Sequence, residues 1–175
     1  MPRLVCAAWK VLHFPSNTEN KMDILTVQRD AFTITTDRSK LDLPFIHHFL
    51  SQEAYWSKNI PFERVRQAAD HSLNFGLFYH DRQIGYARLI TDYATIAYLG
   101  DVFIIPEFRD QGLSKWLLQI IMQHPGVQGL RRWILLTSDA HGLYKQFGWT
   151  EIASPGKWME KHDPEAYTKN KSGEL

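Results

Sequence analysis

Apolar positions change their period several times along the 175 residues, and each change marks an element. Gln28 to Thr36, rich in Thr, Phe and Ile, predicts a first strand ended by Asp37-Arg38-Ser39. Phe45, Ile46, Phe49 and Leu50 then recur at helical spacing behind Asp42, a candidate N-cap, with Pro44 in the first turn. Pro61 opens a second short helix with Phe62, Val65 and Ala69 on one face, and Tyr55-Trp56-Ser57-Lys58 joins the two. Leu73 to His80 alternates Phe75, Leu77 and Tyr79 on one face. A turn at His80-Asp81-Arg82-Gln83 leads into a strand over Ile84 to Ile90, and Asp92-Tyr93-Ala94 turns the chain into a strand over Thr95 to Ile105, stopped by Pro106. Leu113, Trp116, Leu117, Ile120 and Ile121 restore the helical period up to His124-Pro125-Gly126, and Arg132 to Thr137 reads as a buried strand. Strand, helix and strand from 95 to 137 therefore predict a right-handed parallel crossover after three antiparallel strands. Asp139 is read as the cap of a short helix through Phe147, with Gly148 at C′. Trp149 to Ile152 and Lys157 to Lys161, around Ser154-Pro155-Gly156, predict a closing hairpin.

Composition narrows the class of protein. A hydrophobic content of 44% with 13% aromatics suits one globular domain with a sizeable core, and a formal charge of +1 leaves no global field for nucleic acid. The longest apolar runs, such as Leu4 to Trp9, fall well short of the roughly 18 residues a membrane helix needs. Cys6 has no internal partner, which fits a reducing compartment, and a cytoplasmic location is expected. Lys10 breaks the early apolar run and no small-residue cleavage site follows, so export is not expected. The expected organisation is an N-terminal extension over residues 1–21, a domain over 22–161 and a polar tail over 162–175.

The richest stretch for chemistry joins the long strand to the strongest helix: Ile104-Ile105-Pro106-Glu107-Phe108-Arg109-Asp110-Gln111-Gly112-Leu113-Ser114-Lys115. First-turn amides have no partner within a helix and carry the positive end of its dipole, so an anion fits where side chains are small, as at Gly112 and Ser114. Arg109 and Lys115 add charge. The plainer alternative is that Gly112 only permits a tight turn. A dinucleotide fingerprint is disfavoured, because Gly112 is the single glycine of the loop and antiparallel hairpins precede it.

These residues resemble the GNAT superfamily of acetyl-CoA-dependent N-acetyltransferases. The family's loop reads Gln/Arg-x-x-Gly-x-Gly/Ala after an apolar-x-Pro strand end, and Arg109, Gly112 and Ser114 occupy its defined positions; Ser114 replaces the usual Gly or Ala, and Asp110 stands where many members carry Gly. The resemblance covers roughly Asp23 to Lys161. It implies an α/β (α+β) fold: a mixed, mostly antiparallel sheet of about six to seven strands flanked by about four helices. It also implies that Arg109, Asp110, Gln111, Gly112, Leu113, Ser114 and Lys115 hold the pyrophosphate of acetyl-CoA. The backbone of Val102, Phe103 and Ile104 would pair with the pantetheine arm where this strand splays from strand 132–137.

A second motif, Ser138-Asp139-Ala140-His141-Gly142-Leu143-Tyr144-Lys145-Gln146-Phe147-Gly148-Trp149, looks like the family's C-terminal signature. The resemblance places Tyr144 on the tyrosine that protonates the departing thiolate. A phenol with a reference pKa of about 10 is protonated at neutral pH, and a thiol's is about 8.5. The alternative is a ring that only packs, like Phe147. An amine attacks only when neutral, so a base is required, and Asp101, an acid between Gly100 and Val102 in an apolar strand, is the first candidate. A structural Asp bonded to backbone is the alternative there. Tyr98 could act through a water, and His141 is a third option. Tyr55 and Trp56 are the candidate acceptor-binding residues, since in the family that loop borders the acceptor site. His47-His48 lacks a second ligand pair, so no metal is expected. Arg131-Arg132 could meet coenzyme phosphates. No cysteine follows Cys6, which favours direct transfer over a thioester intermediate on the protein.

The expected function is transfer of an acetyl group from acetyl-CoA, a co-substrate, to a primary amine on a small molecule or peptide. The alternative is a non-catalytic acyl-CoA-binding sensor or interaction module on the same fold. A homodimer is left open; nucleic acid and membrane are not expected partners.

Overall fold

The computed structural model describes residues 24–168, so the expectations for residues 1–21 and for the end of the tail lie outside the described residues. Where one strand was expected over 28–36, two short ones form a hairpin, Thr26–Arg29 (β1) and Phe32–Thr35 (β2). The turn between them places Asp30 at a φ of 55°, a left-handed conformation that Asp tolerates and that no Gly or Asn announced.

Asp42 caps α1 (Leu43–His48) as expected, its carboxylate accepting from the Phe45 amide at 3.0 Å. The chain runs on through one π-helical turn at Phe49–Glu53, which buries Phe49, Leu50 and Ser51. In α2 (Phe62–Asp70) Val65 and Ala69 are buried. Phe62, expected on the same face, lies at the rim, where its ring meets His47 edge-on at 5.5 Å.

Strands β3 (Leu73–Tyr79), β4 (Arg82–Thr91) and β5 (Ile96–Ile104) extend the hairpin into an antiparallel meander. Phe75, Leu77, Ile84 and Leu89 are fully buried with Leu117, Leu118 and Ile121 of α3 (Leu113–Gln123), the helix that carries the chain over to β6 (Arg132–Ile134). β6 is parallel to β5, and it closes a six-stranded sheet in sequence order among the described residues.

Two expectations near the C-terminus fail. β6 ends at Ile134, not Thr137. The closing hairpin is absent: 149–161 contains only a 3₁₀ turn at Pro155–Lys157, and it faces β6 across a groove of about 1040 Å³. Trp149 packs against the core, but Ile152, Trp158 and Met159 are 46%, 38% and 97% exposed, so little burial drives the pairing. The last helix, α4 (His141–Lys145), is short, with Gly148 at a φ of 81° after it. Among the described residues no helix is long and apolar enough to cross a membrane.

Candidate active site

β5 and β6 pair over three positions only, from Ile96 opposite Arg132 to Tyr98 opposite Ile134, and then part. From Leu99 to Ile104 β5 has β4 on one edge and, among the described residues, no strand on the other. The slot therefore begins where the ladder ends. Phe103 and Ile104 are buried and Val102 half-buried; the Phe103 ring stacks on Phe49 with centroids 3.9 Å apart. Their side chains belong to the core, and what they offer to the slot is backbone.

A bulge interrupts β5 at the same level. Tyr86 faces Phe103 and Arg88 faces Gly100, so β5 carries an extra residue there, and Asp101 takes a φ of 54°. Bulges re-aim side chains. Asp101 Oδ2 accepts from Arg88 Nε at 2.5 Å and Oδ1 from Trp56 Nε1 at 3.2 Å. Both oxygens of the expected base are thus engaged. Burial opposes the Arg88 charge, and Asp101 more than offsets it, so the guanidinium pKa is raised. Tyr98 is half-buried, with its pKa raised first by burial and then by Asp101.

Tyr144 on α4 is only 8% exposed, with its ring 5.9 Å from that of Trp149. Burial, then the charge of Asp139, then Tyr55 and Tyr98 push its phenol up to about 12. It is fully protonated at neutral pH, and among the described residues its hydroxyl has no hydrogen-bond partner. Tyr55 and Trp56, T-shaped with centroids 5.0 Å apart, bridge the two walls of the slot. Trp56 reaches Asp101 on β5, whereas Tyr55 Oη accepts from the Ser138 amide at 3.0 Å and donates to Asp139 Oδ1 at 3.5 Å. The structure thus brings Tyr144, Asp101, Tyr98, Tyr55 and Trp56 together.

Arg88 and Asp139 were missed. Arg88 lies within the strand expected over Ile84 to Ile90 and was not singled out, and Asp139 was read as the cap of a short helix through Phe147. In the structure Thr137 Oγ1 accepts from the Ala140 amide at 3.1 Å, and the Asp139 side chain does not cap the helix.

The loop expected to hold an anion is tied to the strand by Arg109, whose Nε donates to the Ile104 carbonyl at 2.9 Å. Asp110 and Gly112 have φ of 61° and 73°, and Gly112 is the N-cap of α3 with no side chain capping the first turn. A Cβ at Gly112 would meet nothing within 4 Å. Asp110, Gln111 and Lys115 are exposed, Ser114 is half-buried and Leu113 is buried. Uncapped amides beside open space, followed by a free strand edge, fit a pyrophosphate with an extended amide arm. Arg132 lies over the Trp158 ring at 5.2 Å, and His141 lines, with Tyr144, the groove between β6 and the C-terminal segment. His47 Nε2 pairs with the Ile60 carbonyl at 3.0 Å.

Residues 43–149 match the acetyltransferase (GNAT) family. A Gibberella zeae protein named as an acetyltransferase is 32% identical over 139 residues, 66% of this chain and 77% of that one. A solved Xanthomonas campestris pv. campestris structure, described as an acetyltransferase of the GNAT family, is 51% identical with a TM-score of 0.77. The match covers 79% of this chain and 97% of that one. A GNAT family acetyltransferase from Elizabethkingia anophelis, solved with acetyl-CoA bound, shares the fold at 15% identity and a TM-score of 0.52, over 68% and 76% of the two chains.

Proposed function

The chain belongs to the GNAT family of acetyltransferases, and on that footing we propose that it transfers the acetyl group of acetyl-CoA directly to a primary amine. The observation that carries this reading is the slot itself: β5 and β6 part after Tyr98, the uncapped first turn of α3 stands at one side, and the unpartnered phenol of Tyr144 stands beside Tyr98 and Asp139. Bound acetyl-CoA supplies an activated thioester carbonyl. The α3 first-turn amides and Lys115 bind phosphate, and the free edge of β5 at Val102, Phe103 and Ile104 orients the arm. Tyr144 gives its proton to the sulfur as the C–S bond breaks and the C–N bond forms. Asp101, bonded through both oxygens, positions Trp56 against β5, and Tyr98 completes the polar wall.

Thiol release across a panel of primary amines tests the reaction, with Tyr144→Phe beside the wild type. The variant keeps the ring's packing and loses only the donor, so turnover should fall about 10² to 10⁴-fold with acetyl-CoA affinity unchanged. The loss should shrink with an activated thioester whose thiolate needs no proton. Unchanged turnover, with chemistry limiting the rate, would make Tyr144 a packing residue. Coenzyme binding without thiol release from any amine would favour a sensor.

A further inference from the structure

Beyond acetyl transfer, we infer that a cavity at the far end of α3 from Gly112 is a second binding site, for a small carboxylate with a short apolar body. The cavity, of about 210 Å³, opens where β3 begins and the C-terminal ends of α2 and α3 converge, at Leu73, Asp70 and His124. The 11 residues of α3, about 16 Å of helix, separate it from the loop at Gly112. It is a different place from the slot.

The polar lining is matched on one side only. Its side-chain acceptors are engaged: Asp70 accepts from Arg38 Nη2 at 2.7 Å and from Arg66 Nη1 at 3.4 Å, Ser72 Oγ from Arg88 Nη1 at 3.3 Å, and Asn74 Oδ1 from the Tyr86 hydroxyl. Three donors that line the same cavity are left over. Among the described residues Arg38 Nη1, His124 Nε2 and the Tyr93 hydroxyl have no partner.

His124 is the most telling of the three. It is only 3% exposed, and its Nδ1 accepts from the Gly126 amide at 3.1 Å, which puts the ring proton on Nε2. A buried donor left without an acceptor is costly, and Arg38 Nε, covered and unpaired, is another that a turn of the guanidinium toward the cavity would bring into use. Tyr93 is held beside them by strained backbone. Its φ of 59° is rare for a bulky residue, and Asp92 Oδ1 locks the turn by accepting from the amides of Ala94, Thr95 and Ile96 at 3.0, 2.8 and 3.1 Å. Two oxygens of one carboxylate can accept from all three donors, with the guanidinium bond charge-assisted. A phosphate would set its second charge against Asp70. Leu73 and the Tyr93 ring give the ligand's body an apolar wall.

Calorimetric titration of benzoate into the full chain at neutral pH tests the site. Saturable binding is expected, with benzamide, of the same shape but uncharged, at least about tenfold weaker. Arg38→Gln should weaken benzoate about tenfold or more, and Tyr93→Phe about three- to tenfold. Both side chains are partly exposed, so both variants should melt close to the wild type. If Arg38→Gln does not fold, Tyr93→Phe decides alone. Gly112→Glu should leave benzoate affinity within about twofold, because the loop lies at the other end of α3. No saturable benzoate binding, equal affinity for benzamide, an unchanged benzoate affinity in Tyr93→Phe, or a loss in Gly112→Glu of tenfold or more would each overturn the site.

Discussion

Arg88 and Asp101 face each other across the β5 bulge with side chains only 17% and 12% exposed, which sets the energetic stakes of the pair. Such an ion pair adds little over an apolar pair of the same shape, but removing one partner strands the other charge in a poorly solvated place. Arg88→Met should therefore lower unfolding free energy by about 2–4 kcal/mol, read from urea denaturation, and should free Trp56 by unsettling its acceptor. A loss within about 0.5 kcal/mol would mean that water already solvates Asp101. The strained Asp101 backbone, at a φ of 54°, is held by the strand pairing on either side of it.

Helix α3 does two jobs from opposite ends of its sequence pattern. Leu113, Trp116, Leu117, Leu118 and Ile121 bury one face, while the first turn presents uncapped amides. Gly112 joins the two because its φ of 73° lets the loop enter the helix with no side chain over those amides. Any other residue pays about 1 kcal/mol for that backbone, so a charge effect must be read against a neutral control. Gly112→Ala and Gly112→Glu should lose similar stability, whereas Gly112→Glu should bind acetyl-CoA at least about tenfold more weakly than Gly112→Ala, because a carboxylate competes for the phosphate's place. Calorimetry giving Gly112→Glu the wild-type affinity would show that the anion binds elsewhere.

Stability of the folded chain at high pH follows from its buried phenols, Tyr86 and Tyr144 foremost, with Tyr93 and Tyr98 raised as well. Burial raises the pKa of Tyr86, whose hydroxyl donates to Asn74, and pushes Tyr144 up to about 12 from 10.0. Above pH 10 the unfolded chain releases these protons before the folded one does, so the folded state binds more protons and stability falls as pH rises from 10 through 12. Thermal melts from pH 8 upward should show a flat region and then a decline. The decline should be shallower in Tyr144→Phe, which removes one of the phenols whose pKa burial raises. Identical slopes would mean that the Tyr144 phenol is solvated in the folded protein.

What could be read along the chain was local. The α1 start at Asp42, the meander through β3, β4 and β5, the helical period of α3 and the tight turn at Gly112 each depend on residues within a turn or two of one another, where steric preference and apolar spacing act directly. The Asp30 turn escaped because Asp reaches a left-handed φ without a Gly to mark it, and the expected C-terminal hairpin failed because alternation alone cannot supply a partner strand. The site's chemistry was decided by contacts across the chain: Trp56 with Asp101, separated by 45 residues, and Tyr55 with Asp139, separated by 84. Which partners each carboxylate finds depends on where packing brings Arg88, Trp56 and Thr137, and no spacing along the chain encodes that distance.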